Sequence, residues 1–181
     1  MKEQYYLVSQ LPDISAAGEK SSLPITEKYY RDLCSRFLDK KDFVVLNELS
    51  LEPPRVPVET GSLFLNQWYD FERALRYALC QVRAQKMKKD IGPMPISCTQ
   101  DIIQAARTAV GMDSPLSAEQ YLFEYRLSVL DEIQPLDNFS VDAVFSYGIR
   151  LMLIERMKKF DKEKGTDSYH KIYDTILGET I

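Results

Sequence analysis

The sequence predicts an all-α fold, a single helical domain over residues 1–181 arranged as a bundle of about seven helices, two of them long (62–89 and 140–163). Three observations predict it. The nine prolines fall in two short clusters (53, 54, 57 and 93, 95) and at four single positions (12, 24, 115, 135), leaving helix-length stretches between them, and proline stops helices because it lacks the backbone N–H and crowds the preceding turn. Those stretches carry apolar residues three and four apart, the helical period, rather than in alternation. Several open on Thr, Ser or Asp, whose side chains satisfy the free amides of a first turn. With 181 residues, 45% of them hydrophobic, the chain can bury a sizeable core without disulfides or structural metals.

Taken in order, residues 1–24 form an N-terminal arm of unclear structure; YYLVSQL could be a strand or an extended segment, with no partner strand in sight. Thr26, after Pro24, opens a helix over 25–37 with Tyr30, Leu33, Phe37 and Leu38 on one stripe. Asp39 opens a short one over 40–49 through Phe43, Leu46 and Leu49. PPRVPVETG reads as a loop. Ser62 then starts the longest helix, 62–89, with Phe64, Trp68, Phe71, Leu75, Leu79 and Val82 as its stripe and GPMP as its stop. Thr99 caps 99–110, which Gly111 ends; Ser117 and Gln120 form a capping box for 117–133, the helix that holds Leu122, Tyr125, Val129 and Ile133. Ser140 opens 140–163, closed by Gly165, and Asp167 or Ser168 starts a last helix over 167–177. Trp68, Leu75, Leu79, Phe145 and Met152 are expected where the two long helices meet. Pro24-Ile-Thr and Pro115-Leu-Ser, each followed by a tyrosine and a helix, are as expected of a duplicated unit as of any two capped helices after proline.

The 23 Lys+Arg against 27 Asp+Glu give a net charge of −4, against a general nucleic-acid binder. Three cysteines without paired spacing fit a reducing compartment and read as small core hydrophobes. The opening segment carries Glu3 and has no long apolar core, so it does not read as a secretory signal. No stretch reaches the ~20 apolar residues of a transmembrane helix. Phosphate-loop, dinucleotide, nucleophile-elbow and zinc motifs are absent, and the single histidine, His170, reads as a surface residue. No catalytic, cofactor or metal residue is therefore assigned. Glu72 is expected to pair with Arg76, and Asp70 with Arg73, as exposed helix pairs; the basic run from Arg83 to Lys89 reads as a solvated helix end. Tyr69 and Tyr77, off the apolar stripe, are candidate partner-binding residues with Arg73. Arg150 is a fourth candidate. It lies among apolar residues and must be paired, by Glu72 for instance, or face a partner.

Tyr5-Tyr6-Leu7-Val8-Ser9-Gln10-Leu11-Pro12 resembles the start of a bacterial family, without an assigned function, whose genes lie among those of vacuolar/archaeal-type ATPases. Ala143-Val144-Phe145-Ser146-Tyr147-Gly148-Ile149-Arg150-Leu151, leading into Glu155-Arg156 and Phe160-Asp161-Lys162-Glu163-Lys164-Gly165, is similar to its C-terminal part. The middle block, Leu65-Asn66, Tyr69-Asp70 and Arg73 with Arg83 beyond, resembles its long helix. The gene context and helical layout imply a distant relation to the socket component of these ATPases, the piece that seats the central stalk on the membrane rotor ring. That socket has three similar helical units, and this chain is too short for three. The resemblance implies a non-catalytic adaptor without cofactors, cytoplasmic and peripheral to the inner face of the membrane. Its partners would be the ATPase rotor and central-stalk subunits, with no nucleic acid and only indirect contact with the membrane. A free-standing small-molecule binding module, with a pocket between the two long helices lined by Tyr147, Arg150 and Trp68, is the second expectation; an enzyme with a carboxylate site is the third.

Overall fold

The computed structural model describes residues 4–14, 23–90, 92, 97–160 and 162–178, with side chains from 165 onward in the last segment. Eight helices lie among them: α1 (Tyr5–Gln10), α2 (Glu27–Phe37), α3 (Lys40–Asn47), α4 (Leu63–Lys86), α5 (Gln100–Gly111), α6 (Pro115–Ile133), α7 (Val141–Lys158) and α8 (Lys162–Gly178). No strand occurs among the described residues, and none of their helices is long and apolar enough to cross a membrane.

Capping chemistry sets the starts. Thr26, Ser62 and Ser140 occupy the N-cap positions expected, their hydroxyls accepting from the amides of Tyr29, Leu65 and Ala143 at 3.3, 3.1 and 3.1 Å. α6 departs from expectation. Its cap is Ser114, which accepts from Ser117 N at 3.4 Å and leaves Pro115 at the first helical position, where the missing N–H costs nothing. Ser117 is already inside the helix. The resemblance between the Pro24 and Pro115 segments stops there, because Pro24 precedes its helix and Pro115 belongs to one.

The chain corrects the sequence reading at three other boundaries. The N-terminal arm contains a helix, α1, whose Leu7 is buried and whose leading residue Gln4 donates its backbone N–H to Phe139 O at 2.8 Å. α4 ends at Lys86, before the glycine and prolines expected to stop it; Pro93 and Pro95 lie outside the described residues. Lys88 takes φ +54° there, and the amides of Lys88 and Lys89 bond back to Gln85 O and Ala84 O at 3.0 and 2.9 Å, a Schellman closure with lysine where glycine is usual. The break expected between the helices 140–163 and 167–177 falls earlier, after Lys158. α7 stops at Lys158 in tight turns, Lys159 N to Arg156 O and Phe160 N to Met157 O, and α8 runs through Gly165, whose missing side chain meets nothing within 4 Å.

α4 is the spine, about 36 Å long at 1.5 Å per residue. Its first half contributes Phe64, Leu65 and Trp68 to the larger apolar cluster, with Tyr30, Leu33 and Cys34 of α2, Phe145, Ile149 and Ile154 of α7, and Phe123 and Leu130 of α6. Its second half contributes Ala74, Leu75, Ala78 and Leu79 to a smaller cluster with Ile102, Ala106 and Ala109 of α5 and Leu122 of α6. Trp68 and Phe145 therefore fall in one cluster as expected, with Met152 half-buried against it. Leu75 and Leu79 instead face α5 and α6. The small alanines of α5 let it lie close along α4.

Candidate functional site: a groove between the N-terminal arm, α6 and α7

The segments 5–12 and 143–151 are far apart in sequence and adjacent in space. Tyr147 of α7 donates its hydroxyl to Pro12 O at 2.9 Å, and its ring stacks on Tyr30 with centroids 5.6 Å apart. Tyr30, 1% exposed, donates in turn to Val144 O at 2.6 Å. This approach is possible because residue 148 is glycine: a Cβ there would lie 2.7 Å from Tyr30 Oη and 2.8 Å from Leu49 Cδ2. Burial pushes the Tyr30 and Tyr147 hydroxyls up from their ordinary values, and the Cys34 thiol to about 11, so these groups are neutral and structural at physiological pH.

Between the arm, the end of α6 and α7 this arrangement leaves a groove of about 450 Å³. Val8, Leu11 and Ile14 supply apolar wall; Asp131, Gln134 and Asn138 supply polar groups, with Tyr147 and Arg150 along α7. Arg150, its side chain 12% exposed, is ion-paired and hydrogen-bonded to Asp131 of α6. The groove can hold a largely apolar ligand beside Asp13 and the Asp131–Arg150 pair. It shares Tyr147 and Arg150 with the pocket expected of a binding module but does not lie between the two long helices: no residue of α4 lines it, and Trp68 is fully buried in the core.

The four partner-binding candidates are not brought together as a free surface. Tyr69 is buried, its hydroxyl accepting from Ser50 N at 3.4 Å, and burial raises its pKa; the 48–52 segment covers the face of α4 expected to be open. Arg73 bonds Asp70 at 2.7 Å as expected, but its side chain is only 11% exposed and its Nε is buried without a hydrogen-bond partner. Arg150 is held by Asp131, not Glu72. Tyr77 alone is exposed. Charge reversal at Arg73 and Arg150 would therefore disturb the folded protein as well as any interface.

Glu72 carries the largest correction. Expected on the surface, it is 1% exposed and receives Arg126 of α6 through Nε and Nη2, with Arg76 Nε a further 3.3 Å contact. The signal is in the stripe: Glu72 interrupts Trp68, Leu75 and Leu79 at helical spacing, and Arg126 interrupts Leu122, Phe123 and Leu130 likewise. Two opposite charges on two apolar stripes must meet each other or stay unpaired. Cys80 also departs from the core reading, being exposed, while Cys34 is buried and Cys98 donates to Ala74 O at 3.4 Å. No group of three metal-ligating side chains occurs among the described residues.

The fold is a helical bundle with a groove walled on one side by the N-terminal arm. A family model described only as a protein of unknown function (DUF2764) matches residues 108–180, from the end of α5 through α6, α7 and α8. No curated protein and no solved structure matches the chain.

Proposed function

We propose that this chain is a non-catalytic assembly component of a vacuolar/archaeal-type rotary ATPase, linking the central stalk to the membrane rotor ring from the cytoplasmic side. The observation that carries the reading is α8. Every described side chain from 165 to 178 is exposed, yet Tyr169, Ile172, Tyr173, Ile176 and Leu177 recur at i, i+3, i+4, i+7 and i+8 and are 48–62% exposed. At 100° per residue they form one stripe, with Asp167, Lys171 and Asp174 on the opposite side. A 17-residue helix carrying two glycines and several β-branched residues is marginal alone in water. Its stripe is the form in which a helix enters a partner's apolar groove, and its low net charge suits a protein partner better than an anionic membrane surface. The resemblance of the 5–12 and 143–165 segments supplies the identity of that partner.

The test is affinity purification of the tagged chain from native membranes, beside the Ile172→Asp/Ile176→Asp variant. Rotor or central-stalk subunits should accompany the wild type and be lost from the variant, whose thermal unfolding should be unchanged because both positions are exposed. Failure of the wild type to retain any ATPase component overturns the reading. The groove lined by Tyr147 and Arg150 favours a second one, a free-standing module that binds a small molecule or peptide independently of the ATPase.

A further inference from the structure

A second cavity, of about 500 Å³, opens on another side of the bundle, between the N-terminus of α2, the 50–52 segment and helices α4, α6 and α7. Its floor is apolar, with Leu79, Leu122 and Met152, and its walls gather five cations, Arg76, Arg83, Arg126, Arg156 and Lys159. That is a large share for one cleft in a chain of net charge −4.

Four carboxylates share these walls, and most are already used. Glu155 Oε1 accepts the backbone N–H of Glu27 at 2.8 Å, which occupies it at the first turn of α2. Glu27 itself holds Arg31 at 2.8 Å, outside the cleft. Glu119 takes Arg156 at 3.0 Å, and Glu52, 79% exposed, stands 3.9 Å from Arg76. Buried Glu72 takes Arg126 and the other side of Arg76. Arg83 and Lys159 remain. Both are exposed and neither has an acidic partner among the described residues. One sits in the last turn of α4 and the other caps α7, where terminal carbonyls favour cations.

We propose that this cleft binds a small organic phosphate. Arg83 and Lys159 supply the uncompensated charge, and Arg156 can turn from Glu119 to add a fork of donors matched to a phosphoryl group. The leucine and methionine floor takes the apolar part of the ligand, and the volume is that of a nucleotide-sized site. The inference stands apart from the ATPase reading: the site would fill whether or not α8 has a partner.

Titration calorimetry on the full chain tests it, with pyrophosphate and adenosine monophosphate as probes and chloride holding ionic strength constant. Both should bind saturably at one site per chain. Arg83→Ala and Lys159→Ala should each weaken pyrophosphate roughly tenfold, the loss of one charge-assisted contact, with circular dichroism unchanged. Lys171→Ala on α8 should have no effect. Removing the side chain of Met152 should weaken adenosine monophosphate but not pyrophosphate, which separates an organic phosphate from a bare phosphate site. Absence of saturable binding by either probe, equal weakening by Lys171→Ala, or indifference to Arg83→Ala and Lys159→Ala would each overturn the proposal.

Discussion

Gly148→Ala tests the close approach on which the groove depends. In an open helix the change should stabilise, because alanine is favoured over glycine by about 1 kcal/mol. Here the new methyl would stand 2.7 Å from Tyr30 Oη, 3.0 Å from Tyr30 Cε1 and 2.8 Å from Leu49 Cδ2. Leu49 can rotate a methyl away, but Tyr30 is fixed by burial and by its 2.6 Å bond to Val144 O. Overpacking of this kind costs about 1–3 kcal/mol, and stretching the buried hydrogen bond adds about 1 kcal/mol. Against the propensity gain, the net is a destabilisation of about 1–3 kcal/mol, a fall in Tm of roughly 2–4 °C per kcal/mol at this chain length. Urea unfolding of the wild type, Gly148→Ala, Tyr30→Phe and the double variant measures it as a cycle. Removing the Tyr30 hydroxyl removes the closest contact, so Gly148→Ala should cost clearly less in the Phe background. A stabilised Gly148→Ala, or equal costs in both backgrounds, would refute the reasoning.

Glu72→Ala should cost about 3–5 kcal/mol in urea unfolding because it strands the buried Arg126, whereas Glu72→Leu with Arg126→Leu should recover most of that loss. Lys88→Gly should raise stability by about 0.5–1 kcal/mol, since the φ +54° at this position is costly for any side chain; a lower Tm would mean that the Schellman turn is not formed. A thiol reagent at pH 8 should modify exposed Cys80 quickly and leave Cys34, buried and with its pKa pushed to about 11 by desolvation, unmodified until the protein unfolds. Rapid labelling of Cys34 in the native protein would contradict the packing of α2 on α7.

Proline spacing and capping residues make most of the fold legible, because both act on the local backbone. The starts at Thr26, Ser62 and Ser140 need no tertiary information. The misread boundaries are those where a local signal competes with another of similar strength. Gly165 costs a helix interior only about 1 kcal/mol, so α8 passes through it, and Ser114 with Pro115 outranks the box at Ser117. The partner-binding candidates are the least legible. The helical wheel of α4 alone places Tyr69 outside, but a helix covered by α7 on one side and the 48–52 segment on another has a wider buried face than its leucine stripe. The apolar surroundings of Arg150 do announce its need for a partner. Its choice of Asp131 depends on how α6 lies against α7, which no periodicity contains.

The Glu72–Arg126 pair lies at the seam between the two apolar clusters. Phe71, its neighbour on α4, packs against both clusters; on α6, Arg126 lies between Leu122 of the smaller cluster and Leu130 of the larger. Leucines alone would tolerate α6 displaced along α4 by one turn, about 5.4 Å, since one branched aliphatic side chain replaces another at little cost. With the pair in place, the same displacement would press a guanidinium against leucine and leave a carboxylate facing hydrocarbon. The charged contact, with the Phe71–Tyr125 ring contact beside it, thus disfavours other registers of α6 on α4, and the position of α6 in turn sets where Asp131 stands for Arg150 and where the rim of the groove falls.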